Sequence, residues 1–131
     1  MGKILTEISE AELLDKISIL EIKQNKIKDQ NSLIEINKEL AILNKIKDTN
    51  IESTNQLKKL YLDLKNINEK IWKIENDKRQ CEKDLNFKEY FISLSRNEYL
   101  ANDERAQTKA EINNLLKSNI KEIKEHPNYK K

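Results

Sequence analysis

Between Gly2 and Pro127 the chain contains neither glycine nor proline. These are the residues that interrupt helices and shape the tight turns of sheets. A β fold needs a turn about every 8–12 residues and usually marks it with one of them. The sequence therefore predicts an all-α fold in a single domain, residues 1–131, with residues 118–131 as a flexible tail. Apolar and charged residues each make up 37% of the chain, which suits helices around a modest core with a heavily solvated surface.

Four matches to the capping-box pattern divide the chain: Ser9 with Glu12, Ser32 with Glu35, Ser53 with Gln56, and Asn86 with Glu89. In each, a short polar side chain is placed to accept early backbone N–H groups while a residue three positions on reaches back. The matches predict helices over Ala11–Lys28, Leu33–Lys47, Thr54–Asp84 and Phe87–Lys117, with "DTNIES" (48–53) as the clearest loop. The short link at Leu85–Asn86 makes the two long helices an antiparallel hairpin. The expected architecture is an antiparallel four-helix arrangement built on that hairpin and covered by the two shorter helices. Its uncovered end is the charged tip around "NDKRQCEKDLN".

Composition removes several function classes. The 25 basic and 23 acidic residues are interspersed, whereas nucleic-acid binders cluster basic residues in a stripe, so no nucleic-acid partner is expected. The longest apolar run is four residues, Leu40–Leu43, too short to enter a bilayer as a span. No apolar stretch of the kind found in secretion signals follows Met1, and Cys81 is the only cysteine. Both point to a reducing cytoplasm. One cysteine and one histidine cannot build a four-ligand zinc site, and no metal or other cofactor is expected.

The inner faces of the helices carry the functional signal. On the third helix Leu57, Leu60, Leu64, Ile67, Ile71 and Ile74 share one face as ordinary core. Beside them Asn68, Trp72, Glu75 and Arg79 stack at i, i+4, i+7 and i+11. Trp72 at this spacing reads as core before it reads as a stacking platform. On the fourth helix Phe91, Leu94, Ala101, Ala106, Ile112 and Leu116 define the inner arc, yet Glu98, Asn102, Arg105, Lys109 and Asn113 lie within it. Hairpin register brings Glu98 to Glu75, Arg105 to Asn68, and Lys109 to Leu64. From the first helix, Glu21 and Gln24 are expected to meet the group. That helix is apolar on two sides: Leu13, Ile17, Leu20 and Ile27 on one, Ile8, Ile19 and Ile22 on the other. It is either sandwiched within the fold or used in an oligomer interface, and self-association as a dimer is the expected state.

A buried charge without a partner costs several kcal/mol or more, so these groups must pair internally, meet water, or meet a ligand. The plain reading is an internal network that fixes helix register. The functional reading is a pocket in which Arg105, Lys109 and Arg79 hold a small anion, with Asn102, Glu98, Glu75, Asn68, Trp72, Glu21 and Gln24 around it.

The segments "LLDKISILEIK" (13–23), "NEKIWKIENDKR" (68–79) and "FISLSRNEYLANDERAQTKAEIN" (91–113) carry a resemblance. The residues Asp15–Ile17, Ile19–Lys23, Asn68, Glu69, Trp72, Glu75, Arg79, Arg96, Tyr99, Asn102, Asp103, Arg105, Ala106 and Lys109 are similar, in order and spacing, to a family of small bacterial helical proteins of unknown function. Ala11 and Lys117 stand where that pattern often has glycine. The resemblance implies kinship rather than an activity, with an accessory role in surface-polysaccharide synthesis as one implied setting.

The expected function is a non-catalytic binding or interaction module that takes a small anionic metabolite or a protein partner. An enzyme on a helical bundle is the alternative. A nucleotide pyrophosphohydrolase needs carboxylate pairs on facing helices to hold magnesium, and here Glu7, Glu10, Glu12 and Asp15 all lie at the chain start. A chorismate-mutase-like site would draw on Arg105, Lys109, Glu75 and Gln24, which have the right residue types without that family's motifs.

Overall fold

The computed structural model describes residues 1–129. Its elements are α1 (Glu10–Lys26), α2 (Gln30–Asn50), α3 (Asn55–Asp84) and α4 (Glu89–Leu115), with no strand among the described residues. The all-α architecture built on the α3/α4 hairpin is the one the sequence predicts. The helices run up, down, up and down. α1 is the element that touches all three others, and α2 packs on α1.

The helix starts show which capping residues prevail. Ser9 caps α1, its Oγ accepting from the Glu12 N–H at 3.1 Å. α2 begins three residues earlier than predicted, because Asp29 displaces Ser32 as the cap. The Asp29 carboxylate accepts from both the Ser32 N–H at 2.9 Å and its hydroxyl at 2.7 Å. A carboxylate also gains from the partial positive charge of a helix N-terminus, which a hydroxyl does not. α3 is capped by Thr54, one residue beyond Ser53, through the Leu57 N–H at 3.2 Å. α4 has no side-chain cap, and Asn86 instead accepts from the Lys88 N–H in the turn at 3.2 Å.

Both hairpin helices end in the same device. Leu85 and Lys117 each adopt the left-handed backbone conformation at φ 53°. Around each, a following N–H bonds back across the last turn: Asn86 to the Cys81 carbonyl at 2.8 Å, Ser118 to the Asn113 carbonyl at 2.9 Å. This is the Schellman arrangement, which favours glycine at the left-handed position. Lys117 occupies such a position. Both side chains are exposed. Leu85→Gly and Lys117→Gly should therefore each stabilise the fold, by roughly 0.5–1 kcal/mol, as the strain of a left-handed Cβ disappears. Urea denaturation midpoints measure it, and an unchanged or lower midpoint would contradict the assignment.

Three apolar clusters fill the interior. Ala11, Leu14, Leu57, Leu64 and Ile112 join α1, α3 and α4. Leu13, Ile17, Leu20, Ile36 and Leu40 join α1 to α2. Ile74, Cys81 and Leu94 close the hairpin tip, with Phe91 packed on them. Tyr90, which patterning places in the core, is exposed beside that tip. The two apolar sides of α1 are both used within the chain. Ile22 is 2% exposed, and Ile8 packs on the cluster shared with α2. α1 is thus sandwiched between α2 and the hairpin, with Ile19 half-buried on its second apolar face.

Beyond α4 the chain turns back along it without helix. The Ser118 hydroxyl meets Glu10 and Asn113, both at 2.9 Å, and the Tyr129 ring meets Tyr99 edge-on at 5.4 Å between centroids.

Candidate functional site: a polar seam opening into a groove

A continuous polar seam crosses α1, α3 and α4. At one end lies Lys109, 8% exposed. Its ammonium stands 2.8 Å from Glu12, 3.2 Å from Glu122 and 3.6 Å from Asp15. Burial alone would lower its pKa. Its hydrogen bond to Glu12 and the charge of Asp15 outweigh burial and hold it above the ordinary lysine value. Glu12 is lowered in return, chiefly by its hydrogen bond from Lys109.

Asp15 passes the seam onward. Its carboxylate accepts from the Asn68 amide at 2.7 Å, and the same amide donates to the Ser18 hydroxyl oxygen at 2.7 Å. The Asn68 carbonyl oxygen accepts from Arg105 at 3.1 Å, and Arg105 also donates to Asn102 at 2.6 Å. Among the described residues every buried side-chain polar atom has a partner. The Lys109 half of the seam is a compensated structural network.

The Arg105 half is different. Arg105 is half-buried, and its hydrogen-bond partners are neutral amide oxygens. Among the described residues no carboxylate pairs with it, whereas Lys109 has three and Lys78 has Glu98 at 2.6 Å. Arg105 lines a groove of about 390 Å³ between α1 and the hairpin, where α1 nears its end and the hairpin continues. That volume lies within the range of small-molecule sites, roughly 300–1,000 Å³. Ile19 and Ile22 form the α1 wall, Ile71 and Trp72 the α3 wall, and Glu75, Asn76 and Arg79 the outer end.

Behind Glu75 stands Glu98 of α4. The two carboxyl groups are hydrogen-bonded to each other, which raises Glu75 and lowers Glu98, the latter also held down by Lys78. Arg79 lies 3.8 Å from Glu75 with a largely exposed side chain.

Seven of the ten predicted site residues gather here: Arg105, Asn102, Asn68, Trp72, Glu75, Arg79 and Glu98. Lys109 lies one step along the seam, and its carboxylate partners are Glu12, Asp15 and Glu122 rather than Glu21, Glu75 or Glu98. Glu21 sits on another flank, accepting from the Tyr61 hydroxyl with Lys65 at 3.8 Å. Gln24 is exposed and bonds Asn37 of α2 at 2.8 Å. Both lie on the side of α1 that faces α2 and Tyr61, which is why neither reaches the groove. Asp15 and Ser18 join the seam from α1 with a signal in the sequence. With Ala11 and Ile22 they repeat the i, i+4, i+7, i+11 spacing of the α3 stripe.

Elongated all-α folds with a polar groove between helices form a class that hosts many unrelated functions. Within that class, a family model for DUF6165, a family of unknown function, matches residues 4–129, and the chain belongs to that family. No curated protein and no solved structure matches the chain. Among the described residues no helix is long and apolar enough to cross a membrane.

Proposed function

We propose that the chain is a non-catalytic binding module that takes a small anionic molecule into the groove between α1, α3 and α4. The observation that carries this reading is Arg105, a half-buried cation whose partners are neutral amides and which lines an open cavity. A carboxylate, phosphate or sulfonate there would supply the missing counter-charge through paired N–H donors. Trp72, Ile71, Ile19 and Ile22 offer an apolar wall for the rest of the molecule. Asn68 and Asn102 hold the guanidinium in place beforehand, so little conformational entropy is lost on binding. Lys109, with three carboxylates around it, has no charge left for an external anion.

The test uses Trp72, the only tryptophan, as reporter. Benzenesulfonate should change its fluorescence saturably in the wild type, and Arg105→Met should weaken binding by about tenfold or more, the loss of one charge-assisted contact. Equal binding by the variant, or none by the wild type, would overturn the reading. Circular dichroism of the variant confirms that it is folded.

A further inference from the structure

Arg105 is one of two arginines that line the groove. Arg79 lines the outer end, and its single carboxylate neighbour, Glu75, stands off at 3.8 Å. We propose that the molecule bound here carries two anionic groups, one held by Arg105 and the other by Arg79, and that Glu75 takes up a proton from solution as the second group binds. This rests on the reading of Arg105 given above.

The charges around Glu75 carry the argument. α1 contributes only Ile19 and Ile22 to the lining, so no charge faces Glu75 from that side. α3 contributes Lys78 and Arg79, and α4 contributes Glu98. Lys78 is committed to Glu98 at 2.6 Å. Glu75 therefore shares the charge of Lys78 with Glu98, has Arg79 as its own ion-pair partner, and has Glu98 as a hydrogen-bonded carboxyl neighbour. A ligand anion at Arg79 competes directly with Glu75. Once displaced, Glu75 stands against Glu98 with only Lys78, already bonded to Glu98, to balance both, and two touching carboxyl groups with one shared cation do not both stay ionised. Glu98 keeps its charge because Lys78 stays with it, so the proton settles on Glu75. The raised Glu75 and lowered Glu98 already lean that way in the free protein.

Geometry favours an extended ligand. Asn68, which meets Arg105, and Arg79 are eleven residues apart on α3, about 16 Å of helix. Two arginine side chains reaching inward shorten that span, and Trp72 lies between them. A planar or extended body with an acidic group at each end fits this order of contacts. A single bare anion leaves one guanidinium unused.

The experiment compares meta-benzenedisulfonate with benzenesulfonate, following Trp72 fluorescence at neutral and mildly acid pH. Sulfonates stay fully ionised throughout, so any pH dependence belongs to the protein. The disulfonate should bind about tenfold tighter than the monosulfonate, and its affinity should rise as the pH falls towards the Glu75 pKa. Arg79→Gln should reduce the disulfonate to the monosulfonate level. Glu75→Gln should bind the disulfonate with little pH dependence. Equal affinity for the two probes, a preference that survives Arg79→Gln, or a pH-independent wild type would overturn the proposal. If the monosulfonate binds through Arg105 in that case, the anion-binding reading stands without it. If neither probe binds, both fall.

Discussion

Lys109→Met should destabilise the fold by about 3–5 kcal/mol, the range for removing one partner from a buried charge group. The ammonium bridges Glu12, Asp15 and Glu122, and of the three only Glu122 has a second lysine, Lys124 at 3.8 Å, among the described residues. Asp15 is itself 7% exposed and cannot turn to water. Without Lys109, its charge keeps only the Asn68 amide. Methionine fills most of the vacated volume, so the loss reports electrostatics rather than a cavity. Urea unfolding at neutral pH measures it, and a loss under about 1 kcal/mol would mean that water reaches the carboxylates.

The pH dependence of that loss follows from the shifts. Glu12 is lowered in the folded state, so its contribution is present above the ordinary glutamate range and disappears as the pH falls through its folded value. Lys109 is raised, so its contribution is complete below the ordinary lysine range and disappears as the pH rises through its folded value. In Lys109→Met the carboxylates repel one another, and protonation relieves them. The difference between variant and wild type should shrink as the solution becomes acid. A difference that stays constant into the acid range would show that Glu12 and Lys109 are not coupled.

The long-range register of α3 and α4 was legible in the sequence because it depends on one quantity, the length of the link at Leu85–Asn86. Counting outward from that turn pairs Glu98 with Glu75 and Arg105 with Asn68, and both pairs meet. The rotation of α1 was not legible. An apolar face on each side leaves two orientations with equal patterning, and the sequence favours Glu21 and Gln24 only if the wrong one is chosen. What decides is α2. It covers the Leu13–Ile17–Leu20 face, which turns Glu21 towards Tyr61 and Gln24 towards Asn37, and delivers Asp15 and Ser18 to the hairpin. Glu122 lay beyond sequence reasoning for another reason. It belongs to a segment without periodicity, and it reaches Lys109 only because the chain doubles back along α4.

The residue that ties the structural half of the seam to the open half is Asn68, and its replacement tests both at once. Asn68 is 4% exposed, and its amide serves Asp15, Ser18 and Arg105 together. Asn68→Leu keeps the branched side-chain skeleton, at a somewhat larger volume, and removes every one of those bonds. Asp15 then depends on Lys109 alone, and the Ser18 hydroxyl oxygen and one Arg105 N–H lose their partners. A buried polar group left unsatisfied costs about 1–3 kcal/mol, and these losses share one site and are not additive, so the expected destabilisation is roughly 2–4 kcal/mol. Asn102→Ala is the comparison. Asn102 is half-buried and touches Arg105 alone, so it should cost under about 1 kcal/mol. The binding readout separates the two roles of Asn68. With Arg105 held only by Asn102, the guanidinium is no longer fixed in advance at the head of the groove, and benzenesulfonate affinity should fall although the charge is intact. A stability loss with unchanged affinity would assign Asn68 to the seam alone. Unchanged stability would mean that the helices hold their register without it.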